Sequence, residues 1–352
     1  MANLKHRTKT ALVGAWTGAA WVTGLARLAD AVRPPRLTIL YGHCVADPGL
    51  NGSLHEDMKI EAEHLRSILL ALGRRHDLVT VAEGMDRLAE GAGGRSMVAL
   101  TMDDGYRDNL IRLAPLLQEV GGRATVFLEA GAVVERRLPW LHGLGWLDAK
   151  LGAAAAARAL AERVPSAAAA LAEASDSNRL KRVLKYDADR LERSAALEAL
   201  VLEHGGDPQA IVDSLYLSHA EARELARVEH IEVGGHTVDH PVLSRLGEPE
   251  QRQQIARGRA LLAELLEGGS GGVAAGSCGR TFAYPYGRDW DRDAASEAAA
   301  RAAGYEFAVT THEGTNFAAA PPLALRRIPI HGGSRLAHLG VTAAGGLRQR
   351  TR

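Results

Sequence analysis

Short apolar runs recur along this chain. Each is followed by a stretch in which apolar residues return every three or four positions. Residues 37–41 (LTILY) follow Pro34 and Pro35 and read as a strand. Residues 55–72 read as a helix, with Ile60, His64, Ile68 and Leu72 four apart on one face. A strand is expected at 78–81, a helix at 85–92, a strand at 97–101, a helix at 106–120 ending at Gly121-Gly122, and a strand at 124–128. Later strands are expected at 231–233, 281–284, 307–310 and 325–330. Strands alternating with helices predict parallel β/α units, and their number favours a barrel over an open sheet.

The rhythm breaks between residues 135 and 214, a segment rich in Ala, Arg and Leu that reads as helices, with a late break at Gly205-Gly206-Asp207-Pro208. We expect a helical insertion inside a barrel domain spanning 36–332, preceded by an N-terminal helix over 1–35. A glycine-rich loop is expected at 268–279, and a disordered tail at 333–352. The N-terminal segment sets Lys5, His6, Arg7 and Lys9 before a mostly apolar run at 11–26. That resembles a signal peptide, but no clean cleavage site follows and the run is short for a membrane span. The expectation is an amphipathic helix that packs on the domain or makes peripheral contact with a membrane surface.

Composition narrows the classes. The chain has 352 residues, and 42 Lys plus Arg balance 42 Asp plus Glu, so nothing in the charge points to nucleic acid. Aromatics are 5%, so the core must be built from Ala, Leu, Val and Ile. Two cysteines, Cys44 and Cys278, make neither a disulfide framework nor a zinc–thiolate site, and they read as buried, inert thiols.

The candidate chemistry sits at strand ends. "TMDDGY" (101–106) places Asp103 and Asp104 directly after an apolar strand. Taken alone, the pair would read as a helix cap in a turn. "VGGHTVDHPVLSRL" changes that weighing, because His236 and His240 are four apart after another short strand. One helical turn would put both imidazoles on one face, and Asp104 would complete a three-ligand metal site with open positions. Asp103 is then the spare carboxylate, able to take a proton from metal-bound water. The third stretch, "TFAYPYGRDW" (281–290), is an aromatic, proline-stiffened strand end. A backbone N–H there can donate to an oxyanion, and Tyr284, Pro285, Tyr286 and Trp290 are candidates to shape a sugar-sized groove.

These stretches, in this order, resemble the polysaccharide deacetylases of the NodB-homology kind, carbohydrate esterase family 4. "TMDDGY" is similar to the family's Thr-Phe-Asp-Asp-Gly motif, "HTVDH" matches its His-Ser/Thr-x-x-His motif, and "FAYPYG" is similar to its Arg-x-Pro-Tyr motif. The resemblance runs from about residue 37 to 330 and implies a distorted (β/α)7 barrel. It implies that Asp104, His236 and His240 hold a divalent metal, usually zinc. Asp103 would be the general base, and the Tyr286 N–H part of the oxyanion hole. "ILYGHCV" (39–45) resembles a Leu-x-Tyr-His-x-Val strand in one branch of the family, which makes His43 the expected general acid, with His331 second. Ala283 stands where the family has an arginine that contacts the base. Arg288 or another residue would have to substitute. Arg326 and Arg327 could pair with acids near the site, but read by default as solvated or structural; Trp140 could be a groove wall, but reads first as helix packing.

The expected function is metal-dependent removal of N-acetyl groups from an N-acetylated polysaccharide or oligosaccharide. An O-acetyl esterase needs the same machinery. A two-His-one-carboxylate Fe(II) site and a non-catalytic carbohydrate-binding protein are the rival classes. The distant upstream carboxylate argues against the first, and the complete ligand set against the second.

Overall fold

All the strands expected from the apolar runs join one parallel sheet. The computed structural model describes residues 34–91, 95–267 and 278–343. In chain order the strands are β1 (Leu37–Gly42), β2 (Cys44–Val45), β3 (Lys59–Ile60), β4 (Asp77–Val79), β5 (Met97–Met102), β6 (Ala124–Leu128), β7 (Ile231–Gly235), β8 (Cys278–Ala283), β9 (Phe307–Val309) and β10 (Arg327–Pro329). Neighbours in the main sheet run β10-β1-β5-β6-β7-β8-β9, with β4 against the first half of β5. Val309, ending β9, bridges in parallel to Leu325 just before β10, so the seven-strand ring is nearly closed. This is a β/α barrel, as the alternation favoured, with the distortion that the family resemblance implied.

Continuous apolar strands suit a parallel sheet covered on both faces. Alternate residues divide between the two. Leu37, Ile39, Met97, Ala99, Phe127 and Val309 pack together in one cluster. Leu40, Val98, Leu100, Val126 and Val233 belong to another, with helix residues such as Leu65, Ile68, Leu72, Leu117 and Leu262. The helix Ala62–Gly73 buries Leu65, Ile68, Leu69 and Leu72.

Two expected helices start later than the periodicity suggested. Ile60 is in β3, paired with Val45 of β2, so the expected helix at 55–72 begins only at Ala62. The helix expected from Tyr106 begins as a π-turn over Asn109–Leu113 and becomes α-helical over Ala114–Val120. Pro115 explains this: it has no N–H to offer residue 111, so the turn ahead of it widens.

Between β6 and β7 lie the helices Trp140–Leu151, Ala153–Ala161, Ala168–Ala172, Ser177–Tyr186, Arg190–Glu203 and Pro208–Leu215. Three of them start at an aspartate that accepts from the first free amides: Asp176, Asp189 and Asp207. They enclose their own core of Trp140, Leu147, Leu160, Leu180, Leu184 and Leu197.

The tail is a correction. Fraying was expected from residue 333, but Leu336–Ala343 is a helix with Leu339 buried, and Arg36 Nε donates to Ala343 O at 2.8 Å. Leu336, Leu339 and Ala343, three and four residues apart, seat it against the main core. The expected N-terminal helix falls outside the described residues save for 34 and 35, as do most of the glycine-rich loop (268–277) and residues 344–352. Among the described residues no helix is long and apolar enough to cross a membrane. Cys44 is a buried free thiol.

The insertion core gives a first prediction. Leu180 is fully buried on the inner face of Ser177–Tyr186. Leu180→Ala is expected to cost about 2–5 kcal/mol, read as a lowered midpoint in thermal or urea unfolding. An unchanged midpoint would show that this helix is not seated on that core.

Candidate metal centre and active site

The site is assembled at the C-terminal ends of the strands, the end where barrel enzymes keep their chemistry. Asp103 and Asp104 follow β5 directly. The backbone at Asp104 has φ 77° and at Gly105 φ 85°, so the chain turns sharply and sends the two carboxylates to different partners. A side chain at Gly105 would be strained by that angle and would also meet Leu128 Cδ2 at 2.8 Å.

Asp104 faces the histidines. Its Oδ1 lies 3.3 Å from His236 Nε2 and 3.6 Å from His240 Nε2. One ligand atom from each of the three residues lies within 4.8 Å of the others. His236 Nδ1 donates to Ala283 O at 2.7 Å. That fixes the tautomer and leaves Nε2 to coordinate. Asp104 Oδ1 is buried without a hydrogen-bond partner in the protein. An orphaned buried carboxylate oxygen beside two imidazole nitrogens fits a divalent cation.

The histidines do not share a helical turn, as their spacing suggested. Residues 236–240 form a loop in which Thr237 (φ 64°) and His240 (φ 49°) are both left-handed. The loop is held from behind. Gln254 accepts from the Val238 and Asp239 amides, and Gly258 lets the helix Glu248–Glu267 touch the Thr237 backbone, where a Cβ would sit 2.9 Å from its carbonyl carbon.

Electrostatics keep Asp104 and His240 in ligand form, while the carboxylates beside His236 raise its pKa against the effect of burial. Burial would raise the Asp104 pKa, but the adjacent His236 and the other nearby imidazoles hold it far below the usual carboxylate range. Burial, with His236 adding to it, pushes His240 down to about 3, so it is neutral.

Asp103 is 4% exposed and faces the other way. Arg327 Nη1 and Nη2 donate to its Oδ1 and Oδ2 at 2.7 and 2.9 Å. Arg327 is itself fully buried, and its remaining donors reach Thr310 O at 2.8 Å and Thr101 Oγ1 at 3.1 Å. Burial raises the Asp103 pKa, yet the Arg327 charge and hydrogen bonds outweigh it and leave the pKa lowered. The carboxylate is therefore ionised at neutral pH. Arg327 is the residue whose pairing with an acid of the site the sequence reading raised but did not take as the default. It stands where Ala283 left a gap, on a different strand, while the Ala283 carbonyl orients His236. The available signal was an arginine set inside an apolar strand, between Leu325 and Ile328.

His43 follows β1, whose register sets Gly42 beside Met102, and it lines the same cleft as Asp103 and Asp104. His331 is exposed, outside the cleft lining, and its Nδ1 accepts from Gly333 N at 3.0 Å. Tyr286 has φ 60° and packs its ring edge-on to His240, with centroids 4.5 Å apart. Trp140 Nε1 donates to the Tyr286 hydroxyl at 3.2 Å, which ties the insertion to the site. Trp290 is 61% exposed and lines the cleft. Tyr284 is a correction: it is fully buried, its hydroxyl donates to Leu323 O at 3.0 Å, and it packs on Phe282 in the core rather than in a groove. Pro285 is also buried and outside the cleft lining. The period of two along an extended strand aims Tyr284 inward.

The cleft has a volume of about 980 Å³. One wall is the barrel mouth, and the other is the inserted helix Ser177–Tyr186, a contribution that no motif announced.

Comparison with known proteins bears out the resemblance drawn from the motifs. Residues 209–308 match the family model described as polysaccharide deacetylase, a span that holds both histidines and Tyr286. Among solved structures, the Streptococcus pyogenes deacetylase PplD in complex with acetate is similar with a TM-score of 0.56 at 17% identity, over 88% of this chain and 99% of that one. IcaB from Ammonifex degensii is similar with a TM-score of 0.54 at 19% identity, over 88% and 97%. A de-N-acetylase from Aggregatibacter actinomycetemcomitans gives 0.53 at 12% identity, over 85% and 97%. At these identities the likeness is one of fold. A comparison with curated proteins found no match.

The buried pair yields a prediction. Arg327→Ala strands an ionised Asp103 and is expected to cost about 3–5 kcal/mol at neutral pH, with much of that recovered when Asp103→Asn is added. Because the folded pKa of Asp103 is lowered, its stabilising effect is present above the ordinary carboxylate pKa of about 4 and fades as pH falls below it. Urea unfolding of the single and double variants across pH checks both. Additive losses, or a difference unchanged in acid, would refute the coupling.

Proposed function

We propose that this protein is a metal-dependent hydrolase that removes N-acetyl groups from amino sugars in a polysaccharide or oligosaccharide. One observation carries the reading. Two adjacent buried carboxylates are divided, Asp104 to a pair of histidines and Asp103 to a buried arginine, at the floor of a cleft wide enough for several sugar rings.

Asp104, His236 and His240 would hold the cation, and two imidazoles with one carboxylate suit zinc. A cation there supplies Lewis acidity, which polarises a carbonyl and lowers the pKa of water. The chain's own residues do the rest. Asp103, kept ionised by Arg327, takes the proton of the attacking water as the water oxygen bonds to the acyl carbon. The Tyr286 N–H donates to the oxyanion that forms, presented by the left-handed turn at 286 and 287. His43 gives a proton to the sugar nitrogen as the C–N bond breaks, leaving acetate and a free amine. Trp290 offers an exposed ring face for a sugar to lie against.

Acetate release from N-acetylglucosamine oligomers tests the proposal. Activity is expected to vanish on chelation and to return with added Zn²⁺. Asp103→Asn and His43→Asn are expected to lower kcat by about 10²–10⁴-fold. Full activity in Asp103→Asn would sink the mechanism, and acetate only from O-acetylated polymers would move the reaction to esters.

A further inference from the structure

The cleft is lopsided in charge. Five cationic side chains line it: Lys181, Arg182 and Lys185 from the inserted helix, with Arg245 and Arg288 from the strand-end loops. Its acids are Asp103 and Asp104, already engaged, and Asp187. Among the described residues, Lys181, Arg182, Arg245 and Arg288 have no carboxylate within salt-bridge reach, and only Lys185 does, 3.2 Å from Asp291. Elsewhere on the surface arginines are matched, as in Arg66–Glu119, Arg163–Glu203 and Arg280–Asp86. The chain carries equal numbers of each sign, so the imbalance is one of placement.

Holding these cations together is unfavourable. Lys181 and Lys185 are one helical turn apart, and like charges at that spacing repel. Burial, with Lys185 adding to it, lowers the Lys181 pKa. Burial pulls Lys185 down to about 8 despite Asp291. An anion in the cleft would relieve the repulsion.

The cations also stand close to the reacting centre. Lys185 Nζ lies 3.4 Å from the Tyr286 ring centroid, and that ring lies against His240. Arg288 lies over the exposed Trp290 ring, 5.5 Å from its centroid, so a sugar platform and a charge occur together. A negative group held here belongs to the acylated sugar or its immediate neighbour.

We infer that the cleft selects an N-acetylated saccharide bearing a carboxylate or phosphate on the acylated sugar or the sugar next to it. The inference rests on the deacetylase reading and names its substrate class.

The test measures binding and turnover separately. Full-length Asp103→Asn protein loaded with Zn²⁺ is titrated, by calorimetry, with three tetrasaccharides. One is a neutral N-acetylglucosamine oligomer, one alternates N-acetylglucosamine with glucuronic acid, and one is an N-acetylglucosamine oligomer linked by phosphodiesters. Acetate release from the same three is followed with the unaltered sequence. At least one anionic oligomer is expected to bind about tenfold or more tighter than the neutral one, and which one identifies the source of the charge. The advantage is expected to shrink at about 1 M salt. Lys181→Ala/Arg182→Ala is expected to lower the anionic-to-neutral ratio by about tenfold, a comparison within one protein that a general folding defect does not mimic. Equal binding of all three oligomers, or a ratio unmoved in the double variant, overturns the inference. Anionic oligomers that bind as expected but release no acetate would refute the acetyl reading while charge selection stands. Acetate from all three without preference would do the reverse.

Discussion

Two carboxylates side by side can be buried at a barrel mouth when each is given positive charge of its own. Desolvating an ion costs several kcal/mol, and like charges in close contact add to that. Here the left-handed turn at Asp104 and Gly105 separates the pair. The ring order then supplies a partner from each side. Asp103 reaches Arg327 on β10, two strands away across β1, and Asp104 reaches the histidines after β7, two strands away across β6. The strand order therefore sets the site's electrostatics: it puts two carboxylates on adjacent residues and gives each a separate environment.

Strain is gathered in the same place. Of the five non-glycine residues with positive φ among the described residues, four are Asp104, Thr237, His240 and Tyr286. Such conformations cost of order 1–3 kcal/mol each and persist where surrounding structure holds them. The holding structure is visible here as Gln254 behind the histidine loop, the Ala283 carbonyl under His236, and Trp140 against the Tyr286 hydroxyl. Three different elements thus pin the site, and none of them contributes a ligand.

The insertion has its own core and its own caps, so it can present a firm face to the cleft. That face holds Lys181, Lys185 and Tyr186 over a barrel whose mouth holds the carboxylates. The two walls of the cleft thus come from different parts of the chain: the barrel mouth carries the carboxylates and histidines, with Arg245 and Arg288 on its loops, and the insertion adds Lys181, Arg182 and Lys185.

What the sequence determined by itself was local in origin. Apolar runs such as 37–41, 97–101 and 124–128 identified strands, because burial on both faces needs continuous hydrophobicity. Motif order identified Asp103, Asp104, His236, His240 and Tyr286, because strand ends in a β/α barrel converge on one mouth. Other features needed the tertiary structure. Arg327 could not be assigned to Asp103 from the sequence because that partner is 224 residues away, and only the β10-β1-β5 order brings them together. The spacing of His236 and His240 looked helical because four residues fit a helical turn, but contact with Gln254 and Gly258 bent that stretch into a loop. Tyr284 and Tyr286 looked alike in the sequence. The pleat sent one into the core, and a left-handed turn sent the other to the cleft. Short-range periodicity encodes which element forms, whereas pairing between distant strands decides which charges meet, and that pairing has no local signature.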